Sequence, residues 1–443
     1  MSKGKAISRK AQSKAQSKVQ SSEGSRSNSL RTSVQKPRHS VDDLVENVEG
    51  ENVEWTEELA NCIQDIFNRK SSSVQGREDS LFVYCRLSEN HFVEDEIKRY
   101  LKDLLESFTK SIKYGSRVGE TTLALHALEL LVITANDDTI YDSVKQLLKQ
   151  TISDSPSNPI KAAAIHCLGA CTFFGGGAEE DHLEQMEFFL DIASSDGHAI
   201  DAMDDSNCVT AALHEWGLLA TEVEDLQMES EVAIPVFMDQ LESSEPSVQI
   251  AAGENIALLY EKSYTPQEDA DDKDASEDDA SLSSAGNLDG PKLIKRYNAY
   301  HNTPHLEHAL QSLATVSGKR IGKKDKKTLH SNFVSILTTV QNPRRGPMYS
   351  TAIDQDTNRH YGSKCTVKGR EGTINVDRWW KWIRLAALRR ILQGGFAEHY
   401  YQGNETVLNC LPMERYVRTK RTQGSPRSKP PARLMAHLDL LEW

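Results

Sequence analysis

The sequence predicts an all-α fold: an armadillo/HEAT-like α-solenoid with a disordered basic N-terminal tail, an acidic loop insertion and a basic C-terminal region. Three observations predict it. First, four segments superpose, Ala124-Leu-His-Ala-Leu128, Ala164-Ile-His-Cys-Leu168, Ala212-Leu-His-Glu-Trp216 and Ala252-Gly-Glu-Asn-Ile256. With His126, His166, His214 and Glu254 as equivalents, the spacings are 40, 48 and 40 residues. A helical unit of roughly 40–47 residues is the period of armadillo and HEAT arrays. Second, apolar pairs follow each segment one turn later, at Leu130/Leu131, Ala170/Cys171, Leu218/Leu219 and Leu258/Leu259, which is helical spacing. Third, charge is segregated. Residues 1–40 carry a net +9, residues 41–290 a net −38 and residues 291–443 a net +16, within a chain of net −13.

Residues 1–50 are rich in Ser, Lys, Gln and Arg and hold too few large apolar residues to offset the entropy of ordering, so they read as a disordered basic tail. They lack the apolar core of a secretory signal. The N-terminal armadillo-like repeats are expected over 51–265. Trp55, Leu59, Ile63, Ile66 and Phe67 lie at helical spacing, and Ser71 to Gly76 breaks that helix. A further segment runs from Ser80 to about Leu87. Another, from Glu94 to Tyr114, puts Ile97, Leu101, Leu104, Leu105, Phe108 and Ile112 on one face, as a terminal cap of the array would. Between the four superposed segments lie partner helices containing Val144–Leu148, Met186–Leu190 and Val236–Leu241.

The triple glycine Gly175–Gly177 follows no strand and lacks a Gly-Lys-Ser/Thr ending, so it reads as a helix terminator rather than a phosphate loop. The repeat-equivalent histidines occur once per unit with no local ligand pair, which fits packing positions rather than metal ligands. Cys167 and Cys171 read as core. The seven cysteines lack metal-type pairing and are expected to be reduced thiols of a cytoplasmic and/or nuclear protein. Nothing in the sequence has triad spacing, a metal set or a nucleotide loop, so no enzyme, cofactor or small-molecule substrate is expected. No apolar run approaches the roughly 18 residues of a bilayer span, and no membrane role is expected.

Residues 266–290 form an acidic, Ala/Ser-rich loop insertion. The basic C-terminal helical region, 291–403, opens on a lysine run. Lys323, Lys324, Lys326 and Lys327 precede an apolar helix from Phe333 to Val340, which stops at Asn342-Pro343 before Arg344 and Arg345. Thr366 to Val376 reads as a turn or hairpin. A helix follows from Asp377 to Leu392, capped by Asn375 or Asp377 and ended by Gly394-Gly395. On it Trp380, Ile383, Ala387 and Ile391 share a stripe, flanked by Arg378, Lys381, Arg384, Arg389 and Arg390. Cations beside tryptophans suit RNA, with phosphate contacts from the cations and Trp379 or Trp382 stacking on unpaired bases. The same pattern also fits a last solenoid helix with core tryptophans and solvated arginines. Residues 404–443 read as a divergent basic tail.

Three stretches together resemble the interferon-related developmental regulator family, over roughly residues 52–405. One runs from Glu57-Glu-Leu-Ala-Asn-Cys-Ile through Lys110-Ser-Ile-Lys-Tyr-Gly115 to Glu120-Thr-Thr-Leu-Ala-Leu-His-Ala-Leu128. The second is Lys323-Lys-Asp-Lys-Lys327 leading into Ser331-Asn-Phe-Val-Ser-Ile336. The third is Trp380 with Leu388, Gly394-Gly-Phe396, His399 and Asn404-Glu405. The resemblance implies an armadillo-type fold without enzymatic activity. It also implies either a factor that holds ribosomes inactive, with a C-terminal segment in the mRNA and tRNA channel, or a nuclear coregulator acting with histone deacetylase-type complexes. The corresponding stretch here is Lys319 to about Arg421. Beyond about Asn404 the pattern departs, with Cys410-Leu-Pro, a proline-rich tail and Trp443. The expected function is repression of translation by binding ribosomes or rRNA through the basic C-terminal third. The alternative is the coregulator scaffold.

Overall fold

The computed structural model describes residues 41–69, 71–266, 293–315, 323–353, 360–363, 365–370 and 372–416. The tail before residue 41, most of the acidic insertion and everything beyond Tyr416 lie outside the described residues. Residues 1–52 form one unit, whose described part is helical from Val41, and a compact body begins at Val53.

Helix α1 spans Val41–Phe67, α2 Val74–Asn90, α3 Glu94–Ile97 and α4 Leu101–Tyr114. Ser73 starts α2 by accepting from the Gly76 amide, the N-cap device that the Ser71–Gly76 break supplies. The repeats follow as α5 (Val118–Ala135), α6 (Ile140–Asp154), α7 (Asn158–Phe174), α8 (Glu179–Ser194), α9 (Ser206–Ala220), α10 (Gln227–Gln240) and α11 (Pro246–Lys262). Pro159 and Pro246 open α7 and α11, where a missing N–H costs nothing. The four superposed segments sit on α5, α7, α9 and α11, which stack in succession as the inner layer. The partner segments sit on α6, α8 and α10, the outer layer. Inner helices bury residues all around, as helices sandwiched between layers do. Outer helices such as α6 bury one stripe, here Ile140, Val144, Leu148 and Ile152.

The inner helix α5 does reach the length and apolarity of a membrane span, contrary to the sequence expectation: its 18 residues have a mean hydropathy of 1.4. Two-thirds of it (67%) is buried inside the protein, against α2, α4 and α7. Continuous apolarity here is the signature of an inner solenoid helix.

The region after α11 is less purely helical than expected. Strands β1 (Tyr264–Pro266) and β2 (Leu293–Lys295) pair antiparallel, so Pro266 faces Leu293 and the two ends of the acidic insertion are held together. Helices α12 (Thr303–Thr315) and α13 (Lys323–Gln341) form a hairpin, and α13 buries Leu329, Phe333, Ile336, Leu337 and Val340 between α12 and α11. Strands β3 (Tyr349–Ile353) and β4 (His360–Ser363) pair next. The hairpin expected over Thr366–Val376 is present as β5 (Thr366–Lys368) and β6 (Gly372–Asn375), with Val367 opposite Ile374. Then come α14 (Trp379–Leu392), α15 (Phe396–Tyr401) and α16 (Glu405–Cys410), and β7 (Glu414–Arg415) joins β6. Packing therefore continues past residue 403, where the sequence reading starts a tail. Val407, Cys410 and Leu411 are buried, and the Tyr400 hydroxyl donates to the Leu411 carbonyl.

Candidate functional site

Helix α14 lies on the inner layer, packed against α2, α5, α9 and α11. The line of repeat-equivalent residues runs beneath it. His126, His166, His214 and Glu254 are each partly exposed within otherwise buried turns. Three residues beyond His166 and His214 stand Gly169 and Gly217. An added Cβ at Gly169 would lie 2.7 Å from the Cβ of Glu215, and one at Gly217 would meet Asn255 and, at 3.5 Å, Ile383 of α14. Small residues at this register let the inner helices and α14 approach closely.

The side chains along this line form one ionic chain. His126 Nε2 lies 2.8 Å from Glu89 and its Nδ1 3.0 Å from Glu129. Arg390 of α14 donates to Glu129 at 2.6 Å and to Glu215 at 2.7 Å, and Glu215 in turn lies 2.6 Å from His166 Nδ1. Burial works against the His126 imidazolium, but hydrogen bonds to Glu129 and Glu89 prevail and raise its pKa to about 9. Burial likewise opposes the Glu129 carboxylate, yet Arg390 and His126 hold it down to about 2. Among the described residues His214 has no such partner. Burial, reinforced by His166 and Arg390, lowers it to about 3, so it is a neutral ring stacked 6.2 Å from His166. The two buried glutamates are thus paired and hydrogen-bonded, the condition under which buried charge is tolerated.

At its other end α14 is capped from outside. The backbone amides of Trp379 and Trp380 donate to Glu261 of α11, at 2.9 and 3.3 Å. A carboxylate at a helix N-terminus is favoured by the orphan N–H groups and the dipole. The sequence reading assigned that cap to Asn375 or Asp377, but Arg378 holds the cap position and makes no side-chain cap bond. The Trp379 indole donates to Thr339 of α13 at 2.7 Å, and the Trp382 indole to Glu254 at 3.0 Å. Burial raises both Glu254 and Glu261 to about 7, against the Trp382 bond on Glu254 and against Arg378 and the two amides on Glu261.

This geometry redraws the set of candidate RNA contacts. Trp379 is 2% exposed and cannot stack on a base. Trp382 is partly buried with its indole committed to Glu254. Arg390 is enclosed by Glu129 and Glu215. Arg384 donates to Thr221, to the Cys410 carbonyl and to Glu222, and lies over the rings of Trp380 and Phe173 at 5.0 and 5.1 Å. Trp379, Trp382, Arg384 and Arg390 therefore hold the fold together, because the sequence that looks like an RNA-binding stripe faces the protein's own acidic inner layer. Along α14, Ala386 alone is exposed, the other residues being buried or partly buried.

The remaining cations stand differently. Lys327 is exposed at the start of α13. The side chains of Lys323, Lys324 and Lys326 lie outside the described residues. Arg344, Arg345, Arg378 and Arg389 are partly exposed. Lys381 reaches Asp377 at 2.6 Å. The backbone of Gly346 meets that of Asp377 and Arg378, bringing Arg344 and Arg345 beside the start of α14. Arg389 lies near Cys365 of the turn before β5. The sequence reading does not anticipate Glu129, Glu215, Glu222, Glu254 and Glu261 as partners of α14. The available signal was an arginine-rich helix in a chain whose inner repeat helices carry carboxylates with few cations of their own.

The profile of a family described as "Interferon-related developmental regulator (IFRD)" matches residues 20–341, ending with α13. A relative from Schizosaccharomyces pombe, named only as an uncharacterized protein, is 26% identical over 351 residues, covering 78% of this chain and 72% of that protein. Interferon-related developmental regulator 2 of Mus musculus is 24% identical over 386 residues, covering 83% of this chain and 74% of its own length. With well over half of its length matched, this helical-repeat chain belongs to the interferon-related developmental regulator family.

Proposed function

We propose that this protein is a non-enzymatic helical-repeat regulator that binds ribosomes or their RNA through the basic face of its C-terminal third and represses translation by occluding mRNA or tRNA sites. The observation that carries the reading is the lysine run at the first turns of α13. Cations at a helix N-terminus oppose the dipole, each at a cost of roughly 0.3–1 kcal/mol, so these lysines do not serve the helix. Arg344, Arg345 and Arg378 add positive charge where the end of α13 meets the start of α14. Phosphate neutralisation by such groups needs no sequence readout and weakens with salt. Occlusion of a channel requires no bond-making.

The test is co-sedimentation of full-length protein with ribosomes at low and high salt, beside a variant with Lys323, Lys324, Lys326 and Lys327 all changed to Glu. Loss of the ribosome-associated fraction in the variant is the expected result. Unchanged co-sedimentation sinks the reading. Substitution is preferred to truncation before α13, because deleting α14 would strip Arg390 and Glu261's amide partners from the repeat core.

A second reading, a nuclear coregulator scaffold acting with histone deacetylase-type complexes, is favoured by the acidic outer layer. Glu179, Glu180, Glu187 and Asp191 of α8 and Glu231 and Asp239 of α10 are exposed. Persistence of nuclear partners in the lysine variant would support it.

A further inference from the structure

We infer that the outward face of α10 is a docking surface for a cationic amphipathic helix of a partner protein. Met228 and Val232 are 70% and 62% exposed, and Pro235 is exposed as well. Spaced by four and three residues, they form one continuous apolar stripe along α10. The opposite face of the same helix is fully engaged, burying Ala233, Ile234 and Phe237 against α8 and α11. An outer solenoid helix with apolar residues on both faces departs from the pattern of α6, whose solvent face is polar. Scattered exposed apolar residues need no explanation, but a contiguous stripe on one helix marks an interaction surface.

Charge identifies the occupant. Residues 162–261, which run from within α7 to the last residue of α11 but one, Lys262 excluded, contain 21 Asp and Glu and no Lys or Arg. Glu231 and Asp239 are exposed on α10 beside the stripe. Glu224 and Asp225 are exposed just before it and Glu242 just after it. Pro235 has no N–H to give the carbonyl of Glu231 four residues earlier, which leaves a further acceptor at the stripe's edge. The surface thus offers apolar contact in the middle and an excess of negative groups around it, with Lys262 and the Lys295–Arg296 pair standing near the start of α10. A helix with two or three apolar anchors flanked by Lys or Arg complements both features, in the helix-to-surface mode read as i, i+4, i+7 anchors. RNA would be repelled. A second copy would present the same negative face and is disfavoured for the same reason. The inference is independent of the ribosome reading and rests on the same acidic outer layer as the coregulator reading, which it deepens.

The test uses full-length protein and a fluorescent 14-residue helix with Leu on one face and Lys on the other, against a composition-matched scramble that is not amphipathic. Tight binding of the amphipathic peptide, weakened at least tenfold by Met228→Gln with Val232→Gln and also by Glu231→Lys with Asp239→Lys, is the expected result. Because these positions leave the buried face of α10 untouched, the thermal midpoint should stay within a degree or two of the parent. Equal binding of the scramble, or full binding by the Met228→Gln/Val232→Gln variant, would show charge attraction alone and overturn the proposal. So would concentration-dependent self-association that the same variant abolishes, since the stripe would then be a contact between copies.

Discussion

Arg390 bridges Glu129 and Glu215, carboxylates from α5 and α9, at 2.6 and 2.7 Å. One guanidinium on the C-terminal helix thereby ties the first and third inner repeat helices. A bidentate fork suits this role better than an ammonium would, because its two arms reach two carboxylates in a fixed plane.

Arg390→Met should therefore destabilise the fold sharply. The substitution keeps much of the volume but removes the guanidinium that Glu129 and Glu215 share, leaving only His126 beside Glu129 and His166 beside Glu215. Breaking a buried pair in this way costs roughly 3 kcal/mol or more. Urea denaturation should show the midpoint falling in Arg390→Met. It should recover much of that loss when Glu129→Gln and Glu215→Gln are added, since the orphaned charges are then gone. A triple variant as unstable as the single one would mean that the arginine acts through packing.

Gly169→Ala should also lower the urea midpoint, by an amount corresponding to about 1–3 kcal/mol, despite the usual gain of about 1 kcal/mol for Ala over Gly within a helix. The new methyl would press on the Cβ and Cγ of Glu215, at 2.7 and 2.6 Å, as well as on its carboxylate. Gly394→Ala is the matched control, because nothing lies within 4 Å of its added Cβ. Equal effects at both positions would refute the close-approach role of Gly169.

The repeat core was legible because its signal is local. Four inner helices carry the same small-polar-apolar register, and α7, α9 and α11 begin at breaks marked by Pro159, Asp205 and Pro246. The role of α14 was not legible, because a tryptophan- and arginine-rich helix reads the same whether its partner is RNA or an acidic surface. What decides is where the chain folds back. Arg384 meets Thr221 and Trp382 meets Glu254, more than a hundred residues away in sequence. The cap on α14 was missed for the same reason, since Glu261 belongs to α11. Cys410 and Leu411 read as part of a tail because what buries them is distant or unsignalled: α16 packs on α5, and their carbonyls accept from Arg384 and Tyr400.

Glu254 gives a pH test. Burial raises its folded-state pKa to about 7, above the ordinary carboxylate value of 4.5. Between those values the folded protein holds a proton that the unfolded chain has released, so stability falls as pH rises through that window. Glu254→Gln keeps an acceptor for the Trp382 indole and removes the titration. The variant should gain on the parent by an amount on the order of 1–3 kcal/mol between pH 5 and pH 8, read as diverging urea midpoints. Parallel midpoints across that range would show that Glu254 stays ionised in the fold.

The two classes of arginine in the C-terminal third should separate in one experiment. Arg384 and Arg390 are tied to Glu222, Glu129 and Glu215, whereas Arg344 and Arg345 are partly exposed, with Arg345 over the Tyr349 ring at 5.5 Å. Arg344→Glu with Arg345→Glu should leave the urea midpoint nearly unchanged, as surface changes do, yet weaken ribosome association and flatten its salt dependence. Each phosphate contact removed lowers the slope of log affinity against log salt by roughly 0.7–0.9. Charge reversal of Lys323, Lys324, Lys326 and Lys327 should do the same and slightly stabilise α13, because the new carboxylates sit at the favourable end of its dipole. Binding loss in these variants then cannot come from unfolding. Arg390→Met should behave in the opposite way, with lowered stability and an unchanged salt slope at temperatures where it remains folded. If instead Arg390→Met flattens the slope while Arg344→Glu/Arg345→Glu leaves it intact, the bound form must free α14 from the inner layer, and the basic face would be the wrong contact.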